Sequence, residues 1–303
     1  MDRLVSRPKL ALGTVQWGMP YGIANQSGQP DEREIRALLA LAGERGIDTL
    51  DTGRAYGSSE AVIGRVVGPN SAFEVVTKTD PALTDDAADA ATALARLHTS
   101  LQTSRELLRR PVLDTVLLHR PAHRTALGGA IWDALRKERA DGGVGRIGVS
   151  ALTPEDAFEA LEDEDVQVMQ VASSLLDRRL HDAGFFQEAQ LRDVEIHVRS
   201  VFLQGAAFLD AATLPEPLAD LASSLVRLDE VAATSGVHRA VLFWAWARRL
   251  GANRLLVGCE RAWQLEEHLA WFEAAETQDI QVTELASELP TLGVDVLDPS
   301  RWP

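Results

Sequence analysis

Among the side chains of the first 120 residues that can move protons or fix charge, four stand at or just beyond the ends of apolar runs: Asp51, Tyr56, Lys78 and His119. Two of them lie in "TLDTGRAYGSSEAVIGRVV", residues 49–67, a polar turn set between a strand-like run and an amphipathic segment. An isolated phenol titrates near pH ~10 and is a poor proton donor at neutral pH. A nearby ammonium favours the phenolate and so lowers that value. Lys78 is the candidate ammonium, and Asp51 is the candidate carboxylate that would hold it charged and in place. His119 would hydrogen-bond a substrate oxygen or relay a proton. Tyr56 would then act as general acid toward a carbonyl or as general base toward an alcohol, chemistry that contributes ~10²–10⁴-fold. Each residue also has a bland reading. Asp51 would cap a helix starting near Ser59, Tyr56 would be a turn aromatic, and Lys78 would lay its stem along apolar surface.

What favours the chemical reading is where these residues fall. Short runs rich in Val, Ile and Leu occupy residues 9–14, 47–52, 73–78, 113–119, 145–150, 166–172, 194–202 and 253–258. Between them lie Ala- and Leu-rich stretches of helical period, among them 32–45, 86–108 and 131–141. Eight strands alternating with helices predict a parallel sheet. No Pro-, Ser- or Gly-rich linker divides the chain, so residues 1–303 are expected to form one domain, a single (β/α)8 TIM barrel. In such barrels chemistry sits at the C-terminal strand ends. Those ends here carry Thr14, Asp51, Lys78, His119, Ser150, Gln170, Ser200 and Gly258. A lysine closing a buried strand is costly unless it finds a partner.

Composition narrows the classes. The net charge of −15 opposes binding to a phosphate backbone, so nucleic acid is not expected as a partner. With 1 cysteine there is no internal disulfide, which fits a reducing compartment. The N-terminal residues show no secretory pattern. The apolar stretch "AVLFWAWA" is far too short to span a bilayer, so a cytoplasmic protein without membrane contact is expected. Nothing in the pattern indicates a partner protein. The segment "GVGRIG" matches a dinucleotide-binding fingerprint in letters, but it follows a helix and leads into a strand. Its glycines are expected to cap that helix and turn the chain. No phosphate loop is present, and no His or Cys spacing supports a metal site.

The chain resembles the aldo-keto reductase superfamily along nearly all of its length. The resemblance is carried by "LALGTVQWG", "IDTLDTGRAYGSSEAVIG", "VVTK", "SLQTSRELLRRPVLDTVLLHRP", "RIGVS", "MQVASSLLDR" and "VGCERAWQLEEHL". "GTVQWGMPYGIAN" and "RSVFLQG" look most like a branch found in bacterial sugar and polysaccharide gene sets. The resemblance implies a (β/α)8 barrel that binds a nicotinamide cofactor in extended form. It implies hydride delivery to a carbonyl carbon with a tyrosine protonating the oxygen. By motif the family's catalytic Asp, Tyr, Lys and His fall on Asp51, Tyr56, Lys78 and His119.

Cofactor contacts are implied at Ser150, Gln170, Arg199, Arg261, Gln264, Glu267 and His268, and also at Thr14, Ser200, Phe202, Gln204 and Gly258. Two positions depart from the family. Ala151 replaces an asparagine that would hold the carboxamide, and Arg199 replaces the aromatic that stacks on the nicotinamide ring. The alternative for Arg199 is an ion pair with Asp177 or Glu195. NADPH is expected over NADH because Arg261 or the adjoining helix start would take a phosphate, although Glu260 argues against one. Trp17, Met19, Tyr21, Arg54, Arg120 and His123 are the candidates for a small-molecule carbonyl substrate. Trp244, Trp246 and Cys259 are expected to be core. The expected activity is reduction of an aldehyde or ketone, sugar-like carbonyls included. The alternative is a barrel that has lost hydride transfer and works as a lyase, an isomerase or a regulatory subunit.

Overall fold

Eight parallel strands close on themselves in chain order, β1 beside β2 and so on until β8 returns to β1. The computed structural model describes residues 7–69, 71–86, 89–278 and 280–302. The strands are β1 Lys9–Gly13, β2 Thr49–Asp51, β3 Glu74–Lys78, β4 Leu113–Leu118, β5 Val144–Ser150, β6 Val168–Ala172, β7 Glu195–Arg199 and β8 Arg254–Gly258. Around them run helices α1 Glu32–Glu44, α2 Ser59–Val66, α3 Ala90–Leu108, α4 Ala130–Ala140, α5 Pro154–Leu161, α6 Phe185–Leu191, α7 Ala222–Ser235, α8 Arg239–Ala247 and α9 Ala262–Thr277. This is the single (β/α)8 barrel that the sequence predicts. The residues before Arg7, where a secretory segment was not expected, lie outside the described residues.

Most strand runs are trimmed at their ends. The largest correction is at β7, expected to reach residue 202. It stops at Arg199 because Ser200 takes a left-handed φ of 61°, which no strand continues through. The helix expected from residue 86 is described from Ala90, where the Asp89 carboxylate accepts the Thr92 N–H. Residues 87 and 88 lie outside the described residues.

The "GVGRIG" glycines hold no ligand-facing turn. Gly142, with φ 80°, turns the chain out of α4, one residue earlier than the motif begins. Gly145 and Gly148 lie in β5 where neighbouring strands press close. A Cβ on Gly148 would sit 1.7 Å from the Val168 carbonyl oxygen.

Strand side chains alternate between the barrel interior and the helix layer. The helix layer takes the main apolar core, in which Trp244, Trp246 and Cys259 are buried. The interior holds a separate small apolar layer of Val76, Leu117 and Val168. At the N-terminal end of the strands Arg146 pairs with Glu74 and Glu195, and Glu195 also meets His197. These pairs hold the Glu195 carboxyl down at about 2 against the cost of burial. At the opposite end the same inward register presents Asp51, Lys78, Gln170 and Arg199. Among the described residues no helix is long and apolar enough to cross a membrane.

Candidate active site

Lys78 is the pivot. Its stem is 1% exposed, so it does not snorkel, and its ammonium must be satisfied internally. Nζ donates to Asp51 Oδ1 at 2.7 Å, to Asp51 Oδ2 at 2.8 Å and to the Thr52 carbonyl at 2.9 Å. Burial alone would push the ammonium toward neutrality. Asp51 and Tyr56 outweigh it and raise the Lys78 pKa. Asp51 is therefore not a helix cap. Its Oδ1 also accepts from Gln170 Nε2 at 2.6 Å.

Tyr56 sits above this pair, with the Lys78 ammonium 4.8 Å from its ring centroid. The turn that carries it is pressed against the first loop at two glycines. Gly57 has φ 56°, and a Cβ on Gly18 would lie 1.8 Å from the Tyr56 carbonyl oxygen. The polar residues around Tyr56 act mainly as braces. Ser59 Oγ donates to the Thr14 carbonyl at 2.9 Å, while the Thr14 hydroxyl donates to the Asp51 carbonyl at 2.8 Å. Glu60, fully buried, accepts from Arg54 and from Thr77 Oγ1.

His119 meets Tyr56 edge-on, ring centroids 6.0 Å apart. Burial, then the Lys78 and Arg199 charges, push its pKa down to about 4. Its imidazole is neutral at physiological pH, and Nδ1 has no hydrogen-bond partner. His268 is held down to about 3 by burial and by His238. Both folded values lie below the ordinary 6.5. As pH falls through 6.5 the unfolded chain therefore takes up protons that the folded chain refuses. Stability is then full above the unfolded value and is lost as pH falls toward 4, by up to about 1.4 kcal/mol per pH unit for each proton. Denaturant midpoints at about pH 7 and pH 5 will show this loss. Equal midpoints would mean that the two imidazoles are not held neutral.

A cavity of about 350 Å³ opens over this end of the barrel. Its catalytic end is lined by Asp51, Tyr56, Tyr21, Gln170 and Arg199. Burial, then Tyr56, keep Tyr21 protonated, with a pKa raised to about 12. Gln170 Oε1 is buried and has no partner, an acceptor left open beside the cavity. Arg199 makes only weak contacts, to Ser200 Oγ at 3.3 Å and to the Ala151 carbonyl at 3.4 Å. The expected ion-pair alternative fails: Asp177 pairs with Arg179, and Glu195 with Arg146 and His197. The loop after β7 is locally strained, with φ of 61° at Ser200, 45° at Leu203 and 52° at Gln204. The Gln204 carbonyl accepts the Ile23 N–H at 3.1 Å, which joins this loop to the one after β1.

The far end is lined by Glu260, Trp263, Gln264, Glu267, His268 and Trp271. His268 lies in an aromatic cluster with Phe202, 5.1 Å between centroids. Thr14, Ser200, Phe202, Gln204 and Gly258 line the cavity as well.

Several sequence candidates do not line it. Trp17 is 1% exposed and points its indole at the Cys259 carbonyl. Ser150 is buried, and His123 is too. Arg54 is committed to Glu60, and Arg120 pairs with Asp85. Met19 is exposed but outside the cavity lining. Arg261 turns to the carbonyls of Glu260 and Ser27, at 3.2 and 3.4 Å. Just before α9, Gln264 Oε1 accepts the Glu260 and Arg261 N–H groups and fixes the entry to the helix.

Sequence reading missed Gln16, Asn25, Trp263 and Trp271. The usable signal was that Trp263 is an aromatic at an otherwise polar helix start. Among the described residues no cluster of His, Cys, Asp or Glu could hold a metal ion.

Gln170 Oε1, buried and unpartnered at the cavity wall, is an acceptor of the kind a carboxamide N–H satisfies. Residues 9–288 match the model of the aldo/keto reductase family. Among curated proteins none matches significantly. The solved structure of AKR11C1 from Bacillus halodurans, in holo form, is 18% identical. The match covers 95% of this chain and 89% of that one, with a TM-score of 0.67. Glycerol dehydrogenase AKR11B4 from Gluconobacter oxydans is 17% identical over 94% and 93% of the two chains, with a TM-score of 0.69. PA4992 from Pseudomonas aeruginosa is 22% identical over 91% and 94%, with a TM-score of 0.63. At these identities the likeness establishes the fold alone.

Proposed function

Because the chain belongs to the aldo/keto reductase family, we propose that it is a nicotinamide-dependent carbonyl reductase acting on a small aldehyde or ketone, sugar-like carbonyls among them. The observation that carries this reading is the buried Asp51–Lys78 pair directly beneath Tyr56. Such a pair is expensive to bury, and a barrel needing only stability would have apolar residues there.

When bound, the nicotinamide supplies the hydride that reaches the carbonyl carbon. The protein supplies the rest. Tyr56 Oη gives its proton to the carbonyl oxygen as that oxygen gains charge. The fixed Lys78 ammonium stabilises the phenolate left behind. Asp51 keeps Lys78 charged and immobile. His119, neutral, offers a ring N–H to the same oxygen and orients it. Gln170 would hold the carboxamide through its open Oε1, and Tyr21 would form part of the substrate wall. NADPH, the form the sequence favours, would need a cation at the far end of the cavity.

A second reading, redox-neutral proton transfer at the same residues, is favoured by Arg199. It brings a positive charge without a carboxylate partner among the described residues to the end where the nicotinamide would lie. The two readings separate in one assay. Purified protein is mixed with reduced dinucleotide and a panel of aldehydes and hydroxyaldehydes, and cofactor oxidation is measured against alcohol formed. One-to-one stoichiometry is expected. Binding of the dinucleotide without oxidation by any carbonyl would leave the redox-neutral reading.

A further inference from the structure

We propose that the far end of the cavity selects a dinucleotide with a free ribose 2′-hydroxyl, making NADH the working cofactor and Glu260 the selecting residue. The inference rests on the reductase reading and specifies its cofactor. It replaces the expectation of NADPH, which Arg261 carried.

A dinucleotide whose nicotinamide lies at Tyr56 would extend along this lining toward the β8–α9 junction. The lining there holds two carboxylates, Glu260 and Glu267, and no lysine or arginine. Arg199, at the catalytic end, is the cationic side chain that the cavity lining contains among the described residues. Glu260 is 6% exposed, so its charge is poorly screened by water. It is also fixed. Its Oε2 accepts from Gln264 Nε2 at 2.7 Å while its backbone N–H donates to Gln264 Oε1 at 2.7 Å. Its other oxygen, Oε1, has no hydrogen-bond partner among the described residues.

A fixed carboxylate with an open acceptor suits a vicinal diol, which has two hydroxyls to donate. It opposes a phosphate, which brings charge of the same sign and no proton to share. Arg261 is absent from the lining and turns to the Glu260 and Ser27 carbonyls, at 3.2 and 3.4 Å, while Gln264 Oε1 accepts the Glu260 and Arg261 N–H groups that lead into α9. Trp263, 55% exposed at the rim, supplies a flat apolar face for the purine.

The test is equilibrium titration of the purified protein with NADH and with NADPH, read by quenching of tryptophan fluorescence. NADH is expected to bind at least about tenfold more tightly, since one like-charge contact near a protein surface is worth that much. Glu260→Gln keeps the shape and removes the charge, and is expected to tighten NADPH about tenfold and to weaken NADH, whose diol loses its charged acceptor. Equal or tighter binding of NADPH by the unaltered protein overturns the proposal and leaves the reductase reading standing. An unchanged NADH/NADPH ratio in Glu260→Gln also overturns it. Binding of neither dinucleotide removes both.

Discussion

Tyr56→Phe is expected to lower kcat/KM for carbonyl reduction by about 10²–10⁴-fold while leaving dinucleotide affinity nearly unchanged. The substitution removes one hydroxyl and little else. The phenyl ring keeps its edge contact with His119 and its place near the Lys78 ammonium. The glycine contacts that position the turn involve backbone, so they are untouched. The loss therefore measures proton donation rather than a collapsed site. The check is steady-state kinetics on both proteins alongside the fluorescence titration. Equal kcat/KM would remove Tyr56 as the acid. A loss of affinity equal to the loss of rate would make it a binding residue instead.

Lys78→Met is expected to cost about 3–5 kcal/mol of unfolding free energy, the usual result of removing one partner from a buried pair. It strands the Asp51 carboxylate, 3% exposed, with Gln170 as its remaining side-chain donor. The double variant Asp51→Asn, Lys78→Met should recover most of that loss, because a neutral pair has no charge to desolvate. Both proteins should be inactive. Denaturant unfolding of the three proteins separates the terms. If the single and double variants were equally unstable, packing of the Lys78 stem would be the cause and the charge pair would not.

The barrel and its catalytic end were legible because both follow from local rules. Runs of apolar residues mark strands, and period-2 alternation carries Asp51 and Lys78 to the same interior face. The substrate and cofactor walls were less so, because lining a cavity is a tertiary property. Arg54 reads as a mouth cation until Glu60 is seen buried beside it. Trp17 reads as a loop aromatic until the four-residue helical turn Val15–Gly18 buries it. Ser150 stands at a strand end, yet its neighbours close over it. Arg261 and Glu260 are adjacent in sequence, and only the cap made by Gln264 decides which of them faces the cavity.

The open acceptor of Gln170 has a consequence for evolution and design. A buried polar atom without a partner costs about 1–3 kcal/mol. The strained residues after β7 add to the same debt at the same place. The sequence is thus not the most stable one for its own backbone, and the shortfall is concentrated where the proposed ligand would relieve it. A stability-guided redesign would replace these residues first and so erode the site before it improved anything else. For this barrel, the residues most worth protecting are the ones that a stability score would mark as mistakes.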